Sequence, residues 1–134
     1  MTFEGRRGLV RVAFWLWASA LFVGTHWPAL TLPGTGRPDL FIHAGIFGLW
    51  TLLLLACGYF GPPLSWGNIG AVLLIAPAYA GLDEALQAIP WVRRHAALDD
   101  WACDVLGILI ACGVAAVLRV VRPPAVDTLS PRGT

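Results

Sequence analysis

Lysine is absent: all nine basic residues of this 134-residue chain are arginine. Charge of either sign is scarce, at 13% of residues where a soluble domain carries about 25%. With 57% hydrophobic residues and a mean hydropathy of +0.71, that deficit excludes an ordinary soluble domain. A net charge of +1 leaves no basic excess to neutralise phosphates, so a nucleic-acid partner is excluded as well. Cysteine numbers three, Cys57, Cys103 and Cys112, and no CxxC occurs, which rules out a disulfide framework or a zinc knuckle. Cys103 and Cys112 would lie roughly 13 Å apart along one helix, too far to bridge. The chain also lacks an HExxH, a phosphate loop and a recognisable Ser-His-Asp arrangement, so no motif names a reaction.

What is present is apolar sequence in lengths that span a bilayer, about 20 residues each. Four spans are expected over residues 12–32, 40–60, 64–89 and 101–121, giving an all-α, four-helix transmembrane bundle with short loops. Pro28, Pro33 and Pro38 with Gly34 and Gly36 mark the first loop, and Gly61-Pro62-Pro63 the second. Residues 1–122 read as one transmembrane domain and 123–134 as a polar, disordered tail. Ala18-Ser19-Ala20 resembles a signal-peptide cleavage site, but the apolar run continues through Leu21-Phe22-Val23, so an uncleaved helix is expected. Arginine placement orients the bundle. With both termini inside, Arg6, Arg7, Arg11, Arg119, Arg122 and Arg132 are cytoplasmic and only Arg37, Arg93 and Arg94 are outside. Trp27, Trp66, Trp91 and Trp101 fall near span ends, where an indole suits the headgroup layer.

In that topology six of the eight acidic residues converge on the outer end. Asp39 and His43 share a face of the second helix at i, i+4, as do Asp83 and Gln87 on the third and Asp100 and Asp104 on the fourth. Gly107, three residues beyond Asp104, lies on nearly the same face and allows close helix approach. A charge facing the bilayer centre costs roughly 2.5–3.5 kcal/mol on insertion scales, so these stripes must point inward and meet.

These residues, in this order, resemble the VanZ-like family of small bacterial membrane proteins. The matching run is Asp39 and His43, then Asp83-Glu84-Ala85-Leu86-Gln87, then Arg94, Asp100, Asp104 and Gly107, over about residues 39–113. Asp104 stands where the family usually has Asn, and Leu40 where a basic residue is usual. The loop before Arg94 is one residue longer than usual, so Arg93 with Asp99 is an alternative register. The resemblance implies an association with glycopeptide (teicoplanin) resistance and no defined biochemical activity.

Two functions are compatible with the cluster. One is an enzyme acting at the outer leaflet on a lipid-linked or cell-envelope substrate, with His43 and Glu84 handling protons, Asp39 orienting His43 and Arg94 binding an anionic group. The other is a non-enzymatic binding or accessory protein whose cluster holds a ligand, through Arg94, Asp83, Gln87, Asp100 and Asp104, or only packs the helices. No cofactor motif is present. A divalent cation on Asp39, His43, Glu84 and Asp104 is compatible with the donor set, which with one His suits Mg²⁺ or Mn²⁺ better than Zn²⁺. Single members have simpler roles open to them: Gln87 as an interhelix hydrogen bonder, Asp99 as a helix cap, and His26 and His95 as interfacial residues. A transporter is disfavoured because the polar cluster does not continue into the cytoplasmic half.

Overall fold

Without water to bond exposed peptide groups, a chain this apolar must satisfy its backbone internally, and it does so as helices. The computed structural model describes residues 3–27, 39–92 and 97–122, with Phe3 and Asp39 described by backbone alone. They form four helices: α1 (Phe3–His26), α2 (Asp39–Cys57), α3 (Trp66–Gln87) and α4 (Leu98–Val121), with no strand among the described residues. At 19 to 24 residues each they are about 28–36 Å long, matching a hydrocarbon core of about 30 Å. All four are long and apolar enough to cross a membrane, and the chain is a multi-pass membrane protein.

Helix ends differ from the expected spans for local reasons. α1 begins at Phe3 and takes in Arg6, Arg7 and Arg11, whose long stems can carry charge to the interface while the helix continues beneath them. α2 stops at Cys57 because Gly58 turns left-handed at φ 62°, and its N–H bonds to Leu55 O at 3.2 Å. α3 begins at Trp66, where the Ser65 hydroxyl accepts from the Asn68 N–H at 3.2 Å. α4 begins at Leu98 and so includes Asp99 and Asp100 in its first turn, where carboxylates suit the helix dipole. Ala97 is the N-cap of α4, so Asp99 is not the cap expected of it. Residues 28–38, with most of the first loop, and the tail 123–134 lie outside the described residues.

The turn between α2 and α3 is held by a residue that the sequence pattern does not single out. Asn68 is fully buried; its amide donates to Leu55 O and Pro63 O, both at 3.0 Å, and its carbonyl accepts from the Phe60 N–H at 3.3 Å. Asn68→Ala removes partners from three backbone groups at once. It is expected to destabilise the protein by about 2 kcal/mol, read as a lowered melting temperature in detergent. An unchanged melting temperature would mean that water replaces the amide.

The core follows from close contact between α2 and α4. A Cβ on Gly107 would overlap the Ala44 backbone, and one on Gly48 would stand 3.4 Å from Gly107 O. The glycine thus serves close approach, as its place in the sequence implies. α3 packs on both of these helices, while α1 lies against α2 and α3 and makes no contact with α4 among the described residues. Phe47, Trp50, Val72, Tyr79, Ala80 and Ile108 fill the middle of the bundle; Tyr79 stacks on Trp50 with centroids 4.9 Å apart.

Candidate functional site

The close approach at Gly107 brings the start of α2 against the start of α4. One turn into α2, His43 Nδ1 lies 3.0 Å from Asp104 Oδ1, and its Nε2 lies 4.0 Å from Asp100 Oδ2. Asp100 and Asp104, one helical turn apart on α4, therefore flank the two nitrogens of one imidazole. Asp104, with 1% of its surface exposed, makes the hydrogen bond that orients the ring. That task was expected of Asp39, whose backbone starts α2 and whose side chain lies outside the described residues.

From α3, Asp83 and Glu84 enter the same end of the bundle, both buried, but in different directions. Glu84 turns toward α4: its Oε2 accepts the Ala97 N–H at 3.1 Å, and it contributes to a group with His43 and Asp104 whose facing ligand atoms all lie within 4.8 Å of one another. Asp83 turns toward α1, where its Oδ1 accepts from the Thr25 hydroxyl at 3.3 Å and stands 3.8 Å from His26 Nδ1. Gln87 joins the two halves, its amide donating to Asp83 Oδ2 at 3.1 Å and, at 3.5 Å, to Glu84 Oε1. Those bonds stay within α3, so among the described residues Gln87 braces two carboxylates of its own helix.

His26 and Thr25 are the residues that sequence reasoning misses. Besides the interfacial role expected of it, the His26 ring stacks on Phe22 at 4.2 Å, and its Nδ1 is 2.9 Å from both Phe22 O and Thr25 Oγ1. Its Nε2 is buried with no hydrogen-bond partner among the described residues. The one signal for the pair is position: a Thr-His step closing an apolar span at the membrane face where the carboxylates gather.

Below the cluster the bundle is apolar. Phe47, one turn after His43, is 1% exposed and packs beside Tyr79 with 6.3 Å between centroids. Trp101, expected in the headgroup layer, donates from its indole N–H to Pro77 O at 3.3 Å and lies against Gly81, so it also ties α4 to α3. A separate cavity of about 300 Å³, lined by Phe14, Trp15, Trp50, Tyr59 and Tyr79, is apolar and touches none of the acidic residues.

The expected binding residues Asp83, Gln87, Asp100 and Asp104 and the expected catalytic pair His43 and Glu84 are thus at one end of the bundle. Arg94, with Arg37, Arg93 and His95, lies outside the described residues. All three cysteines are free, Cys57 and Cys112 buried. Chemically, the arrangement offers a hydrogen-bonded imidazole–carboxylate pair, two more carboxylates within reach, and an apolar floor. No family model, curated protein or solved structure matches the chain.

Proposed function

We propose that this is a VanZ-like protein of the bacterial cytoplasmic membrane, with both termini inside and the polar cluster opening outward onto a lipid-linked or other anionic envelope ligand. The observation that carries this reading is the convergence of His43, Glu84, Asp100 and Asp104 from α2, α3 and α4, with Asp83 bound to α1 through Thr25. Polar contacts inside membranes yield only about 0.6 kcal/mol on average, so this many buried ionisable groups is a poor way to gain stability. Ligand recognition accounts for their retention. Arg94, which follows Gln87 and precedes Asp100 in the matching run of motifs, is the residue to which this reading assigns the anionic group.

Within that reading, the hydrogen bond between His43 and Asp104 supports acid–base chemistry, because it fixes the imidazole as a positioned proton carrier. Glu84 favours the binding alternative: its oxygens already accept from Ala97 and Gln87, and Oε2 anchors the start of α4. A binding or accessory protein needs only the pocket and no proton transfer.

Binding of a polyprenyl diphosphate to protein in nanodiscs tests the proposal. Saturable binding is expected, weakened roughly tenfold or more by Arg94→Gln, the value of one charged hydrogen bond. Affinity no greater than for phosphatidylcholine, in wild type and variant alike, would sink it. Expression in a glycopeptide-sensitive bacterium tests the resistance association. Raised teicoplanin tolerance with the wild type and not with Arg94→Gln supports that association, and no change removes it.

A further inference from the structure

The described side of the cluster is anionic, which is the wrong sign for a site that takes an anionic ligand. Glu84, Asp100 and Asp104 surround a single imidazole, and Glu84 and Asp104 are almost fully buried. We propose that His43, Glu84 and Asp104 hold a divalent cation of the Mn²⁺ or Mg²⁺ class, which turns this pocket into a receptor for phosphate oxygens. The inference rests on the ligand-binding reading above and deepens it.

The three side chains come from three different helices, so the fold itself assembles the donor set. Their ligand atoms lie within 4.8 Å of one another. Mg²⁺ bonds of about 2.0–2.1 Å set opposite ligand atoms about 4.2 Å apart, so a closing movement of about half an ångström by these side chains lets a single cation reach all three. Two carboxylates with one imidazole favour a hard ion over a thiolate-seeking one.

A second observation comes from Asp100. Its Oδ1 is buried with no hydrogen-bond partner among the described residues, while its Oδ2 stands 4.0 Å from His43 Nε2. A buried carboxylate oxygen without a donor is costly, and a neighbouring cation satisfies it where no N–H of the described residues does. Outer support is in place as well. Gln87 and the Ala97 N–H hold Glu84, and among the described residues no other donor occupies its remaining lone pairs. Phe47 and Ile108 close the floor, keeping the local dielectric low and strengthening the attraction of an ion for its ligands.

The test uses the full chain in nanodiscs, stripped with EDTA, exchanged into chelator-free buffer and titrated with Mn²⁺, the free ion being read by its EPR signal. About one Mn²⁺ per chain is expected, competed by excess Mg²⁺ and weakened roughly tenfold or more by Asp104→Asn and by Glu84→Gln. Helical circular dichroism and elution volume check that each variant is folded. If Glu84→Gln does not fold, Asp104→Asn decides alone, since its amide oxygen can still accept from His43. Absence of stoichiometric binding overturns the proposal, and so does binding that both folded variants retain. It is then Arg94, not an ion, that balances the carboxylates. Polyprenyl diphosphate binding with and without EDTA separates the two readings. Loss of lipid binding on chelation supports the cation. Lipid binding that survives chelation, without Mn²⁺ uptake, overturns the cation and leaves the ligand reading standing. Mn²⁺ uptake without lipid binding overturns the role given to the ion as a phosphate receptor.

Discussion

Gly107→Ala is expected to lower the melting temperature by roughly 10 °C, and Gly107→Leu to prevent assembly of the bundle. The reason is geometric. A Cβ at position 107 would occupy the space of the Ala44 carbonyl and Cα, which are backbone atoms and cannot rotate away. α2 and α4 must then separate, and His43 loses reach of Asp104, because that pair spans the same interface. Overpacking costs about 1–3 kcal/mol when side chains can give, and a backbone overlap stands at or above the upper end. Gly113 is the internal control. It lies in the same helix with nothing within 4 Å of where its Cβ would stand, so Gly113→Ala is expected to be neutral or slightly stabilising. Thermal unfolding of the two variants side by side provides the check. Equal melting temperatures would mean that the helices are not in the contact described.

The second large effect concerns charge. His43→Ala leaves Asp104, 1% exposed, without the donor it bonds at 3.0 Å. Stranding one member of a buried pair costs about 3–5 kcal/mol when the remaining group is charged. Asp104→Asn behaves differently, because the amide oxygen still accepts from the imidazole while one negative charge leaves a crowded cluster. That variant is expected to match or exceed the wild type in stability. Placed on His43→Ala, it is expected to restore about 1–3 kcal/mol, a coupling measurable by a double-mutant cycle in detergent without added metal. Additive effects would place His43 and Asp104 out of contact. A stability held or gained in Asp104→Asn together with lost ligand binding would mark the carboxylate as kept for function.

Much of this architecture is legible in the sequence because the bilayer imposes a simple rule. Long apolar runs between proline- and glycine-rich breaks become spanning helices, and the four expected are the four observed. The i, i+4 stripe of Asp100 with Asp104 and the glycine at 107 also read correctly, since helical period alone places them. What helical period does not contain is which helix neighbours which face. Asp83 and Glu84 are adjacent in sequence, about 100° apart around α3, and so serve different partners: one binds Thr25 of α1, the other the start of α4. The roles of Thr25 and His26 are invisible for the same reason, as nothing in the first span points to α3. Asn68 is hidden differently. Its importance lies in three backbone groups of a tight turn, which have no sequence signature of their own.

The proposed outward orientation of the polar end of the four-span bundle is tested most directly by cysteine accessibility. In a chain with Cys57, Cys103 and Cys112 replaced, Trp91→Cys reports the exposed turn after α3 and Pro62→Cys the exposed turn between α2 and α3. In intact cells a membrane-impermeant maleimide is expected to label position 91 and to reach position 62 only after permeabilisation. Labelling of position 62 from outside, with position 91 protected, would place the carboxylate cluster in the cytoplasm and contradict the account.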